Sequence, residues 1–161
     1  MKHTNKKGFT IVELVIVIAV IAILAAVLIP NLSRLVTKAD KSAAMQEAKA
    51  AMDNDLINAE GDLENMEKYK GTVDGKTVQY YVVREFTTGT EVAEAEGEKM
   101  ATIAADGTVT IVSSATESGK TYYVVHAYDG VYSKATESYT IVKDGFTCTF
   151  AKGEWNIPDK K

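Results

Sequence analysis

At 161 residues with 46% apolar content, the chain is long enough for one globular domain, or for one domain plus an appendage. Its 18 basic and 22 acidic residues give a net charge of −4, which argues against general nucleic-acid binding, because that needs a clustered cationic footprint. Cys148 stands alone, which excludes an intramolecular disulfide, and two histidines (His3 and His126) leave little material for a metal site or a catalytic centre.

The apolar residues are unevenly spread. Leu14 to Ile29 runs without one charged or polar side chain, while the remainder is rich in Thr, Ser, Glu and Gly. Before that run lies a short basic head, Met1 to Gly8, with Lys2, Lys6 and Lys7 and no acid. An ordinary secretory signal has a shorter apolar stretch of about 7–15 residues and a polar exit after its small cleavage-site residues. Phe9 to Ile29 is instead long enough for a membrane span, which needs about 20 residues. One acid, Glu13, sits inside its leading end. An unpaired acid in a membrane helix costs roughly 2.5–3.5 kcal/mol near the centre and less near an interface. Glu13 therefore either rests at headgroup level or has a positive partner.

The segment Lys6-Lys7-Gly8-Phe9-Thr10-Ile11-Val12-Glu13-Leu14, with the long β-branched run and Pro30 behind it, resembles the class III signal of type IV prepilins and pseudopilins. The likeness covers about the first 35 residues. It implies that a membrane aspartyl protease, the prepilin peptidase, cuts between Gly8 and Phe9 and methylates the new Phe9 amine. The mature chain would then carry 15 basic and 22 acidic residues. It also implies that Glu13 pairs with the Phe9 amine of a neighbouring subunit in a filament core. Such a pair offsets the desolvation of both charges and selects one axial register among apolar helices that would otherwise slide. Ala19, Ala22, Ala25 and Ala26 suit close helix packing. Pro30 removes a backbone donor, so a kink or local melting is expected there.

From Asn31 to about Lys68, apolar residues recur every three or four positions: Leu32, Leu35, Ala39, then Met45, Ala48, Met52, Leu56, Ala59, Leu63 and Met66. That spacing predicts an amphipathic helix, with Asp53 and Asp55 among the charges on its polar side. Gly61 weakens the pattern and is a candidate terminus followed by a short turn. The sequon Asn31-Leu32-Ser33 lies beside Pro30 and is read as chance.

After Gly71 the composition turns to β-formers. Thr77–Phe86, Thr108–Val112, Thr121–His126, Tyr139–Val142 and Phe146–Phe150 read as strands. Asp-Gly occurs at 74–75, 106–107, 129–130 and 144–145, each read as a hairpin turn and none as a calcium loop. The acidic stretch Gly89–Lys99 reads as an exposed loop, and Trp155 as an anchor for the C-terminus. His126 has no acid, Ser or Cys at catalytic spacing.

The expected fold is α+β: a long N-terminal helix, half membrane-spanning and half amphipathic, on an antiparallel sheet of about four to six strands. The expected divisions are a leader at 1–8, an apolar assembly helix at 9–30, an amphipathic half at 31–70 and a β domain at 71–161. The site residues are Gly8 and Phe9 for cleavage, Phe9 for methylation, Phe9 and Glu13 for register, and Pro30 for the kink. No catalytic residue, metal or cofactor is expected. The resemblance implies a homo-oligomeric filament, the membrane before assembly, the prepilin peptidase, an assembly platform protein and an ATPase as partners. That ATPase is separate, because this chain has no phosphate-binding loop. It also implies passage from the cytoplasmic membrane to the cell surface. A pseudopilin of a secretion or DNA-uptake apparatus is the nearest alternative. A membrane-anchored binding module that never polymerises is the alternative from another class.

Overall fold

The computed structural model describes residues 8–87 and 95–159. Lys2, His3, Lys6 and Lys7, and residues 89–94 of the acidic stretch, lie outside the described residues. The chain divides into two units, Met1–Asp40 and Lys41–Lys161. Helix α1 (Ile11–Asn58) supplies most of the first unit and opens the second.

In the first unit α1 runs through Pro30 without interruption, so the local melting expected there is absent from this conformation. Proline still removes one helical hydrogen bond. Nearby, the Ser33 hydroxyl donates to the Ile29 carbonyl at 3.1 Å and the Thr37 hydroxyl to the Ser33 carbonyl at 3.0 Å. Both polar side chains are thereby folded back onto the helix.

In the second unit α1 ends at Asn58, short of Lys68 and close to Gly61, the candidate terminus in the sequence. Gly61 N–H donates to the Leu56 carbonyl at 2.9 Å, and Glu60 and Gly61 take positive φ (59° and 83°). This six-to-one bond closes the helix as a left-handed terminal turn. A 3₁₀ turn (Leu63–Lys68) follows, capped by the Asp62 side chain, which accepts from Glu64 N–H. The buried stripe is also displaced from the predicted one. It consists of Ala44, Ala48, Ala51, Asp55 and Ala59, while Met45 and Met52 are only partly buried at its margin. Small residues allow the sheet to approach the helix closely; the predicted stripe held Ala48 and Ala59 but not Ala44, Ala51 or Asp55.

Among the described residues nine strands form two sheets where one was expected. The first has the order β1-β2-β5-β3-β4: β1 (Lys70–Val73), β2 (Lys76–Thr87), β3 (Glu98–Ile103), β4 (Val109–Ile111) and β5 (Thr121–Ala127). The second is a meander of β6 (Val131–Ser133), β7 (Ser138–Lys143), β8 (Phe146–Ala151) and β9 (Glu154–Asn156). All ladder pairings are antiparallel. The five predicted strands are all present; β1, β3, β6 and β9 are additional. The two edges of the first sheet approach one another at a parallel bridge, Lys70 to Thr108, where Lys70 N–H donates to Gly107 O at 3.1 Å. Gly71 permits this closeness, because a Cβ there would stand 2.9 Å from the Val109 carbonyl oxygen.

Two of the four Asp-Gly pairs make two-residue hairpins with both residues at positive φ, at 74–75 and 144–145. At 106–107 only the glycine is at positive φ, and the Asp106 carboxylate accepts from Thr108 N–H at 2.9 Å. The pair at 129–130 is not a hairpin. It carries the chain from β5 to β6, and a Cβ on Gly130 would run into the Tyr139 ring. Its amides serve Asp55: Asp129 N–H donates to Oδ1 at 3.0 Å and Gly130 N–H to Oδ2 at 2.9 Å. Tyr139 Oη also donates to Oδ2, at 2.9 Å.

Asp55, assigned to the polar side from its charge, is 2% exposed and ties α1 to the crossover between the sheets. Gln79, the other buried polar residue among those described, joins β2 to β6. It accepts from Tyr132 N–H at 2.8 Å and donates to the Tyr132 carbonyl at 2.6 Å. Beneath the helix, Tyr139, Ile141, Phe146 and Cys148 form the inner face of the second sheet. Trp155 packs edge-on to Tyr139, with ring centres 6.3 Å apart, and anchors β9 as its position suggested.

Candidate processing and assembly site

Among the described residues of the N-terminal unit, few hydrogen bonds are made by side chains. Thr10 is the last non-helical residue before α1, and Glu13 lies on its first turn. Thr10 N–H donates to Glu13 Oε2 at 2.9 Å, and Thr10 Oγ1 donates to the same oxygen at 2.8 Å. Glu13 N–H returns a bond to Thr10 Oγ1 at 3.2 Å. This is a capping box, in which a Thr and a Glu three residues later satisfy amides that the first helical turn leaves without partners. The sequence reading weighed Glu13 for its charge and overlooked Thr10, although Thr-x-x-Glu before an apolar run is a helix-start signal.

The box has a chemical consequence. It draws on one carboxylate oxygen; among the described residues Oε1 has no partner. Glu13 can thus hold the start of its own helix and still offer an acceptor to a cation from outside. The amide it uses belongs to Thr10, so the bonds do not depend on whether the chain in front of Phe9 is present.

Behind the box the helix covers nothing of its own. From Ile11 to Val36 each large apolar side chain keeps between 47% and 82% of its surface exposed. One stretch of α1 is long and apolar enough to cross a membrane, and none of it is buried. At about 25 cal/mol per Å² such a surface is strongly driven to a nonpolar environment, whether lipid or other helices. Phe9, 85% exposed, and Gly8 precede the helix without regular secondary structure. The structure brings Thr10 and Glu13 together; among the described residues no side-chain hydrogen bond or ion pair involves Phe9 or Pro30. Among the described residues of the second unit His126 has no paired acid, and its Nδ1 lies 2.8 Å from the Ala127 carbonyl oxygen, while the Cys148 thiol is fully buried.

Comparison with known proteins singles out this same segment. The family profile described as "Prokaryotic N-terminal methylation motif" matches residues 3–29. A 28-residue stretch is 82% identical to the type IV wide pilus major component of Thermus thermophilus. That match covers 17% of this chain and 21% of the relative. No solved structure matches the chain.

Proposed function

We propose that this chain, a protein of the type IV pilin family by its N-terminal segment, is the repeating structural subunit of an extracellular type IV pilus. One observation carries the reading. The match to a methylation-motif profile over residues 3–29 falls on a helix whose large apolar side chains are exposed from Ile11 to Val36, with a single acid, Glu13, at its start. In this reading the precursor rests in the cytoplasmic membrane through residues 9–30, and the prepilin peptidase removes 1–8. The Phe9 amine is methylated. An assembly platform and a cytoplasmic ATPase then move the subunit into the filament, where lipid contacts on the helix are exchanged for contacts with other copies.

Glu13 is the register device. The neighbour's Phe9 amine meets the oxygen that the capping box leaves unused, so both charges enter the filament core as a pair rather than alone. An axial slip of one residue separates them in a low-dielectric setting and is disfavoured accordingly. Pro30 is the point at which the helix can bend as it leaves the bilayer, because one hydrogen bond is already missing there. The relative's description as a major pilus component supports a pilus over a secretion apparatus.

The test is the mass of the N-terminal peptide in filaments sheared from cells. A chain beginning at monomethylated Phe9 is expected. A chain beginning at Met1, or cut beyond Ala26, would refute pilin processing. A correctly processed Glu13→Ala chain that still formed filaments of normal yield would refute the register role.

A further inference from the structure

A cleft of about 170 Å³ opens where the end of α1 meets the 3₁₀ turn and β2. Asn58, Glu60, Asn65, Lys68, Tyr69 and Tyr81 border it, and the buried Tyr128 lines it too. The left-handed turn at Glu60 and Gly61 folds the chain back, so that the 3₁₀ residues face the end of the helix. Two bonds hold this frame: Asn65 Nδ2 donates to the Ala59 carbonyl at 2.8 Å and Tyr128 Oη to the Asn58 carbonyl at 3.3 Å. The remaining polar ends have no partner among the described residues. These are the Asn58 carboxamide, Asn65 Oδ1, the phenols of Tyr69 and Tyr81, the Glu60 carboxylate and the Lys68 ammonium.

A small concave site bordered by polar groups that can fix orientation is able to hold a small molecule, and its charge limits what it takes. Burial, and then the carboxylates of Asp55, Glu98 and Asp129, push the Tyr81 phenol up. Burial, with Asp55, Tyr81 and Glu60, pushes Tyr128 up to about 12. Those carboxylates disfavour an anion, and the Lys68 ammonium on the border offsets part of their pull on a cation. The hydrogen-bonding groups themselves suit a neutral ligand. Phenols and carboxamides each donate and accept, Glu60 only accepts and Lys68 only donates. Neighbouring hydroxyl groups on one ring, each a donor and an acceptor, match that set. The Tyr81 ring is held in place by His126 and Tyr128, with centres 5.4 and 5.1 Å away.

From this convergence of unpartnered donors and acceptors in a single cleft, we propose that the head binds a neutral sugar, one pyranose unit of a glycan. The site is independent of whether the chain polymerises. It is tested on the full-length chain in a zwitterionic detergent that has no sugar headgroup. The probes are the methyl glycosides of glucose, galactose and mannose, and N-acetylglucosamine, followed by saturation-transfer NMR and titration. At least one probe is expected to bind saturably at about millimolar concentration. Tyr81→Phe and Asn58→Ala are each expected to weaken it about fivefold, the loss of roughly one hydrogen bond, with an unchanged thermal midpoint. The proposal is overturned if no probe binds saturably or if the Tyr81→Phe/Asn58→Ala double variant binds as the parent does. It is equally overturned if lysine methyl ester or acetate occupies the cleft more tightly than every sugar.

Discussion

Replacing Asp55 by alanine tests the central claim about the head. The carboxylate accepts from Gly130 N–H and Tyr139 Oη, both in buried bonds, and from the half-buried Asp129 N–H. Alanine leaves these three donors facing one another without an acceptor, at about 1–3 kcal/mol for each buried one. Part of that is returned, because burial is the largest influence on Asp55 and disfavours its charged form. The expected net loss is about 3–5 kcal/mol, against the roughly 5–15 kcal/mol that holds a typical domain together. Tyr139→Phe removes one bond and leaves the carboxylate two, so about 1 kcal/mol is expected.

Urea unfolding of the full-length chain in detergent would measure both, through the fluorescence of Trp155, the single tryptophan, which packs against Tyr139 and Phe150. An Asp55→Ala variant within about 0.5 kcal/mol of the parent would refute the reasoning, since that is the range of an uninvolved surface change. The pH dependence gives a second readout. Burial raises the Asp55 carboxyl above its ordinary 3.8, so the folded head holds this proton more tightly than the unfolded chain. The stability linked to it is complete below the unfolded value and is lost as pH rises through the raised folded value. Asp55→Asn should remove that slope when midpoints are compared between about pH 3.5 and 7.

Gly71→Ala places a Cβ 2.9 Å from the Val109 carbonyl oxygen and should cost about 1–3 kcal/mol by separating β1 from β4, measured in the same unfolding assay. An unchanged midpoint would mean that the bridge is not held closely. Cys148 lies under α1 with Sγ 3.8 Å from the Ala44 carbonyl, and burial pushes its thiol up. It should therefore react with an aromatic disulfide reagent only as fast as the head unfolds, and labelling within seconds in native conditions would contradict its position. Thr10→Ala removes one side of the capping box at a cost of about 1 kcal/mol, so amide exchange at the start of α1 should accelerate several-fold. Exchange at the parent rate would show that the box does not hold the helix start.

The family likeness and the long apolar helix of the N-terminal segment were legible because both are local. A Gly-Phe pair, an acid and an apolar run within thirty residues form a recognisable pattern without tertiary context. The strands around Tyr80, Val124 and Ile141 were legible too, since β-branched and aromatic runs between turn residues have few other folds. The misreadings occurred where distant contacts outweigh local preference. Asp55 belongs on a polar face until Gly130 and Tyr139, more than seventy residues away, supply its donors. The same contact turns Asp129-Gly130 from an apparent hairpin into a crossover. Short strands such as β6 and β9 exist because a neighbour pairs with them, and three residues carry no periodicity of their own. The cleft beside Tyr81 depends on how the chain turns back beyond α1; Gly61 marks that end in the sequence but not what packs against it.

The bridge between Lys70 and Thr108 bears on a hazard that follows from crowding. In the proposed filament, thousands of identical heads stand side by side, and any open row of backbone amides would invite a neighbour to pair with it in an unproductive way. Here the two outer strands of the larger sheet are turned toward each other, so at the bridge each shields the other's hydrogen-bonding groups from outside strands. The outer strands of the smaller sheet, at three residues each, offer too little length to template a growing ladder. Association is thereby left to the helix, and a head so protected can be packed at high density without becoming an amyloid seed.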